Sequence, residues 1–217
     1  MKGNGSPLAG VRHLIWDWNG TLLDDAWLCV EVMNGLLSRR GLPPLSLERY
    51  QEVFAFPVKD YYVGLGFDFA AEPWEAVGTE FIEGYEAGQR GCQLQPGARE
   101  VLEAIAGRGI GQSVLSASQR TRLHRQARDH AIDHHFSELL GLDDHYAGGK
   151  IEIGRDWLDE TGIDPATTLL VGDTDHDLEV AEALGLRCYL VPSGHQSAGR
   201  LAAHGAPLLS SLSGLLA

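Results

Sequence analysis

The run Asp17-Trp18-Asn19-Gly20-Thr21-Leu22 sets an aspartate directly after an apolar stretch, Leu14-Ile15-Trp16, and directly before a Gly-Thr turn. Later segments repeat the arrangement. Ser116 follows Val114-Leu115, Asp173 follows an apolar run and Gly172, and Asp177 stands four positions further on. Lys150 lies in a Gly148-Gly149-Lys150 loop. In an open parallel α/β sheet the strand ends converge on one crevice. The order strand-Asp, strand-Ser, loop-Lys, strand-Gly-Asp-x-x-x-Asp therefore gathers these groups at one place. Carboxylates gathered so closely cannot all stay ionised unless a cation balances them. Mg²⁺ suits such an oxygen-donor set.

The elements that must position these residues read as an α/β chain with one interruption. Residues 11–16 form a short apolar run and are expected to be a strand. Asp24-Asp25 precede a helical pattern carrying Leu28, Val32 and Leu36, and an aspartate there suits a helix N-terminus. Gly41 and Pro43-Pro44 end that helix. Ser46 is the expected cap of the next, which carries Leu47, Tyr50 and Phe54 on one face. Pro57 opens a short segment, 58–65. Pro73 opens a helix with Trp74, Val77, Phe81 and Tyr85 aligned. No strand pattern occurs from 26 to about 90, so this stretch reads as a small all-helical insertion.

Pro96-Gly97 restarts the α/β rhythm. A helix with Val101, Leu102 and Ile105 stops near Gly109. A strand is expected at 110–115, although Gln112 and Ser113 are polar for a buried parallel strand. A charged helix follows at 119–130, a return to the sheet at 136–142, and a helix including 157–161 that ends at Gly162. Strand 168–171, helix 178–184 closed by Gly185, strand 187–191 and a short segment at 208–209 complete the pattern. Such alternation implies a Rossmann-like parallel sheet with helices on both faces. The expected domains are a core of 1–24 with 93–217 and a helical unit of 25–92.

Composition limits the partners. The 217 residues are enough for one core and a small accessory unit. Apolar residues make up 44% and charged residues 22%, and the net charge is −13. So acidic a surface argues against nucleic acid and anionic membranes as partners, and an anionic substrate would need a metal or a few local cations. Cys29, Cys92 and Cys188 form no CxxC pair and read as reduced thiols of a cytoplasmic protein. No long apolar segment opens the chain, so no signal peptide is expected. No uncharged apolar run is long enough to span a bilayer.

The four acidic and polar features, in this order, resemble the four motifs of the haloacid dehalogenase superfamily across the whole chain. The first resembles that superfamily's Asp-x-Asp-Gly-Thr, with Asn19 in place of the second aspartate. The resemblance implies a Rossmann-like core under a mobile helical cap inserted between the first and second motifs. It implies that Asp17 is the nucleophile, that Ser116 and its neighbour Ala117, with the backbone N–H groups near Gly20 and Thr21, hold the phosphoryl oxygens, and that Lys150 offsets their charge. Mg²⁺ would be held by Asp17, the Asn19 backbone carbonyl and Asp173, with Asp177 in support. The substrate would be a small phosphorylated metabolite, as for phosphoglycolate-type phosphatases, and the protein a monomer or homodimer. An amide at 19 can neither protonate a leaving oxygen nor activate water. Such help is worth roughly 10²–10⁴-fold, so turnover should be slow unless another group, such as Asp24, Asp25 or a cap residue, takes over.

Two alternatives follow from Asn19. Phosphonoacetaldehyde hydrolase resembles this chain in its Asp-Trp-x-Gly-Thr pattern and forms a Schiff base through a cap lysine. Lys59 is the single lysine of the helical insertion, and imine chemistry needs a desolvated lysine. A non-catalytic phosphate- or metabolite-binding protein is the second alternative. Haloacid dehalogenases also lack the second aspartate, but they need no Mg²⁺, which leaves Asp173 and Asp177 unexplained. Among the remaining polar residues, His124, His130, His134, His135 and His145 lack zinc-ligand spacing. Trp16 and Trp18 are expected to share a face opposite Asp17 as packing residues. Arg49 is expected to be a solvated residue of the insertion. His195, in the loop after strand 187–191, is expected to stand outside the site.

Overall fold

The computed structural model describes residues 6–143 and 149–217. Gly148 and His145 lie outside the described residues. Five strands form one parallel sheet: β1 (His13–Trp16), β4 (Gly111–Gln119), β5 (Glu138–Leu142), β6 (Thr168–Gly172) and β7 (Arg187–Leu190), in the order β5-β4-β1-β6-β7. The chain builds outward from β1 to β4 and β5, then crosses to the other side of β1 for β6 and β7. The strand order therefore reverses between β1 and β6, where open α/β sheets form their ligand crevice.

Both faces of the sheet are covered. Leu14 and Trp16 of β1 enter the larger of two apolar clusters, whereas Ile15 between them enters the other, as alternation along a strand requires. The smaller cluster is roofed by α7 (Lys150–Thr161) and α8 (Asp175–Leu184) through Trp157, Leu158, Val180 and Leu184. On the opposite face lie α5 (Ala98–Gly107) and α6 (Arg120–Asp129). A short helix, α9 (Ala198–Ala202), follows the last strand. Leu208 makes only an isolated bridge to Leu190, so the expected terminal segment is not a full strand.

Residues 26–91 are helical: α1 (Ala26–Arg39), α2 (Leu47–Val53), α3 (Val58–Gly64) and α4 (Trp74–Gly88), with a short 3₁₀ turn at Gln89–Gly91. Ser46 caps α2 as expected, accepting the Arg49 N–H at 3.2 Å. The chain leaves and re-enters the core through a two-residue antiparallel ribbon, β2 (Leu23–Asp24) paired with β3 (Gln93–Leu94), which no sequence pattern marks. Such a ribbon is too short for any periodicity to reveal. No helix among the described residues is long and apolar enough to cross a membrane.

The polar residues of β4 are explained by their partners. Gln112 accepts from Trp16 Nε1 and donates to the Leu102 carbonyl, both at 3.0 Å. Ser113 Oγ lies 2.9 Å from His13 Nε2, and the His13 ring packs 5.4 Å from that of Trp157. Each polar group entering the sheet is matched, so little is lost by burying it. Burial pushes the His13 pKa down from 6.5 to about 4. A folded-state pKa below the unfolded one means that stability is complete above pH 6.5 and declines as pH falls toward 4. Chemical denaturation across that window should show His13→Gln losing less stability with acidification than the parent. Equal pH slopes would remove His13 from the acid response.

Candidate active site

Register places the acidic groups. Trp16 lies opposite both Val114 and Val171, and the Asp17 N–H donates to the Val171 carbonyl at 2.9 Å. Asp17, Ser116 and Asp173 therefore emerge side by side from β1, β4 and the end of β6. Asp17, Asp173 and Asp177 are buried, with one oxygen of each within 4.8 Å of the others. Lys150 is not a loop residue but the first residue of α7, and it is buried. Its Nζ donates to Asp17 Oδ1 and Asp177 Oδ1, each at 2.6 Å.

Asp177 is aimed by its helix. From the first turn of α8, its Oδ2 accepts Thr174 Oγ1 at 2.8 Å and the N–H groups of Thr174 and Asp173 at 3.1 and 3.2 Å. This is the reach-back of a capping box, so a helix-capping device also fixes an acidic residue of the site. Burial works against ionisation of Asp177, but Lys150 and the Thr174 bonds hold its pKa below the usual range. Burial pushes Asp17 up to about 6 and Asp173 up to about 8. A buried, all-oxygen donor set in which burial makes the charges of Asp17 and Asp173 costly fits a hard divalent cation such as Mg²⁺.

Thr21 is fully buried, its Oγ1 2.9 Å from Asp173 Oδ1 and 3.3 Å from Asp17 Oδ2. Gly20 adopts φ +77°, and a Cβ there or at Gly194 would collide with the Asp173 carboxylate. These glycines admit the backbone to the acidic group where a side chain could not stand. Ser116 is buried, its Oγ accepting the Ser118 N–H at 3.0 Å, and the exposed Ala117 lines the same cavity.

Asn19 is held on both sides of its amide. Its Nδ2 donates to Asp25 Oδ2 at 2.6 Å and to Tyr85 Oη at 3.0 Å, while Ser118 Oγ donates to its Oδ1 at 2.7 Å. Asp25 stands at the N-terminus of α1 without capping it, contrary to the sequence expectation. Its carboxylate turns inward, accepting the Gly20 N–H at 2.9 Å and Tyr85 Oη at 2.7 Å. Burial opposes its charge, yet the bonds from His195, Tyr85 and Asn19 keep its pKa below the ordinary value.

His195 is in the site, not outside it. Its N–H donates to Asp173 Oδ2 at 2.6 Å, its Nδ1 lies 2.8 Å from Tyr50 Oη, and its Nε2 lies 3.5 Å from Asp25 Oδ1. Burial alone would lower its pKa, but Asp25 and the neighbouring carboxylates raise it to about 9. A Ser193-Gly194 turn that folds back onto Gly20 brings it there, with Ser193 Oγ donating to the Gly20 carbonyl at 3.1 Å. Tyr85 and Tyr50 also reach the site from the helical insertion. Their sequence signal was an apolar stripe, which is silent about their hydroxyls.

Lys59 is not brought to the site. It is exposed, its Nζ 5.7 Å above the Phe69 ring, and it does not line the cavity of about 440 Å³ above the carboxylates. Asp24 is only partly buried and pairs in the β2–β3 ribbon. Among the described residues, the acidic trio is the one group of metal-ligating side chains, which leaves the histidines outside any such cluster. Trp16 and Trp18 are fully buried packing residues, the latter donating to Gln126 Oε1 at 2.9 Å.

Residues 14–191 match the family model for haloacid dehalogenase-like hydrolases. The chain belongs to that family. It is 30% identical over 201 residues to a 5'-nucleotidase of Pseudomonas aeruginosa, across 90% of each chain. It is 21% identical over 211 residues to a phosphoglycolate phosphatase of Aliivibrio fischeri, across 93% of this chain and 89% of that one. Among solved structures it resembles CbbY of Rhodobacter sphaeroides in complex with phosphate, with TM-score 0.72 and 22% identity over 95% of this chain and 100% of that one. A haloacid dehalogenase-like family protein of Streptococcus pneumoniae gives TM-score 0.74 and 17% identity, covering 96% and 98%. At these identities the structural likeness establishes the shared fold.

The Asn19–Asp25 pair makes a direct prediction for this haloacid dehalogenase-like chain. Asn19→Asp sets a second carboxylate against one that is already buried. It should lower stability by about 2–4 kcal/mol, and adding Asp25→Asn should restore most of the loss. Denaturant melts of the two variants decide it, and an Asn19→Asp protein as stable as the parent would refute the clamp.

Proposed function

We propose that this hydrolase is an Mg²⁺-dependent phosphomonoesterase working through an aspartyl-phosphate on Asp17. The observation that carries this reading is the buried trio Asp17, Asp173 and Asp177 with Lys150 bonded to two of its members. Asp17 and Asp173 would hold Mg²⁺, with the Asn19 backbone carbonyl as a third donor and Asp177 behind them. The cation supplies charge stabilisation to the phosphoryl oxygens when bound. An Asp17 carboxylate oxygen forms a bond to phosphorus, and the bond from phosphorus to the ester oxygen breaks, releasing the alcohol once it is protonated. Water then attacks the phosphorus, inorganic phosphate leaves, and the Asp17 carboxylate is restored. Lys150, Ser116 and the Thr21 and Ala117 backbone stabilise the transferring group, whereas the Gly20 N–H, already given to Asp25, shapes the turn beside it. Residues 25–92 act as a cap over the core formed by 1–24 and 93–217, excluding water when closed.

Proton transfer to the alcohol is the weak point. Asn19 has no proton to give, and Asp25 is kept ionised by its donors. Turnover should therefore fall short of an enzyme with a carboxyl at 19 by roughly 10²–10⁴-fold. The relatives named 5'-nucleotidase and phosphoglycolate phosphatase make nucleoside monophosphates and phosphoglycolate candidate substrates. A Schiff-base mechanism has no support. Lys59 is exposed, and Lys150, the single lysine of the cavity among the described residues, is engaged by two carboxylates.

Asp17→Asn should abolish phosphate release, and residual activity near the parent level would end the nucleophile assignment. Millimolar Mg²⁺ should raise the melting temperature of the parent but not of Asp173→Asn. Equal shifts in both would place the cation elsewhere. The exchange variant Asn19→Asp with Asp25→Asn restores a carboxyl at 19 without doubling the buried charge. Its kcat should rise at least about tenfold above the parent, and an unchanged or lower kcat would show that the amide itself serves turnover.

A further inference from the structure

The cavity above the acidic trio has two chemically different ends. Its floor holds Asp17, Ser116 and Lys150, and its upper wall is built from Phe54, Phe56, Tyr61, Tyr62, Trp74 and Phe81. Ring edges meet ring faces along that wall, as in Phe54–Tyr61 at 5.3 Å and 73° and Tyr62–Trp74 at 5.1 Å and 77°. A volume of about 440 Å³ falls in the usual range for small-molecule sites.

The lysine and the arginine of this cavity are each paired with carboxylates of the protein. Among the described residues, Arg122 and Lys150 are the only lysine or arginine side chains lining it. Lys150 serves Asp17 and Asp177. Arg122 donates from Nη2 to Glu86 at 2.9 Å and lies over the Tyr85 ring at 5.6 Å. A second negative group on the substrate would meet aromatic carbon along most of this wall, where the one arginine within reach, Arg122, is already charge-paired with Glu86, and His176 with Glu179, so burying it there is unfavourable. Two polar atoms of lining residues are unsatisfied: the Tyr61 hydroxyl, on a side chain 5% exposed, and Arg122 Nε. Buried polar atoms without partners are rare and mark places where something else completes the bonding.

Resting on the phosphomonoesterase reading, we infer that the alcohol released by this enzyme is uncharged and carries a planar aromatic ring, with a polar edge that meets Tyr61. A flat ring fits between aromatic walls and gains stacking and edge-to-face contacts. Nucleosides and simple aryl alcohols share this chemistry, and phosphoglycolate lacks it.

The test uses the Mg²⁺-loaded full chain with four phosphate esters: AMP, benzyl phosphate, methyl phosphate and 2-phosphoglycolate. Both ring-bearing esters should exceed 2-phosphoglycolate and methyl phosphate in kcat/KM by at least about 10–100-fold, the scale of one well-packed ring. Phe81→Ala should lower kcat/KM for AMP and benzyl phosphate about tenfold and leave methyl phosphate unchanged, which also certifies that the variant is folded. Tyr61→Phe should affect AMP and spare benzyl phosphate, separating a ring with a polar edge from a bare one. Preference for 2-phosphoglycolate, or an equal loss on all four esters in Phe81→Ala, overturns the inference. If no ester is hydrolysed, the phosphomonoesterase reading fails by itself. Calorimetric titration of the same esters then decides the ring subsite, with tighter binding of AMP and benzyl phosphate supporting it and parity with 2-phosphoglycolate refuting it.

Discussion

Three carboxylates and one ammonium meet where strands β1 and β6 part, and the local structure is organised around keeping that charge buried. Lys150 cannot serve as a surface residue here. It bonds Asp17 and Asp177 at equal distances of 2.6 Å. Burial alone would lower its pKa, and these two carboxylates raise it instead. Removing one partner of such a group leaves an uncompensated buried charge, a far larger cost than breaking a surface pair. The helix starts of α7 and α8 are therefore fixed by electrostatics as much as by packing. Their apolar sides, through Trp157, Leu158, Val180 and Leu184, hold them against the sheet at the height the charges require.

The second constraint is the exchange of polarity beside the first aspartate. Position 19 carries an amide, and a carboxylate stands 2.6 Å away at position 25. The amide donates to Asp25 and accepts from Ser118, so both ends of its side chain are used. Asn19 is thus not a passive gap left by a missing acid. It belongs to a network in which one negative charge is shared among Gly20, Tyr85 and Asn19 as donors. Hydrogen bonds to a buried charge are among the stronger ones in proteins, so this network gives the turn after Asp17 a definite shape.

Much of this arrangement was legible in the sequence, because strand ends announce themselves. Asp17 and Asp173 each follow an apolar run at the length of a buried strand, and the glycines beside them mark close backbone approach. The helical character of 26–91 followed from the stripes on α1 and α4. Other features were hidden for identifiable reasons. A periodicity argument counts Gln112 and Ser113 against a strand, since it does not know that Trp16 and His13 arrive to pair with them. The β2–β3 ribbon has only two residues on each side. Lys150 read as a loop residue because glycines precede it, yet a helix can begin directly after glycine. His195 is hidden in the sequence for a different reason. A loop histidine gains its partners entirely from tertiary structure, here Asp173 from the sheet and Tyr50 from the helical insertion.

That last residue ties the two parts of the molecule together. Through its backbone, His195 donates to Asp173, and through its ring it touches both Asp25 and Tyr50 of α2. Around it, Gln51 Nε2 donates to the Gly194 carbonyl at 2.7 Å, and Gln196 Nε2 to the Phe54 carbonyl at 3.2 Å. The helical insertion and the loop after β7 are therefore joined by polar bonds at the point where Asp173 is oriented. Ring contacts reinforce these bonds, with the His195 ring 5.8 Å from that of Tyr50 and 5.3 Å from that of Phe54, and one apolar cluster runs from the sheet into the insertion. One loop residue thus orients Asp173 through its backbone and meets α2 and Asp25 through its ring, so the loop after β7 is the point where the acidic crevice and the helical insertion share a residue.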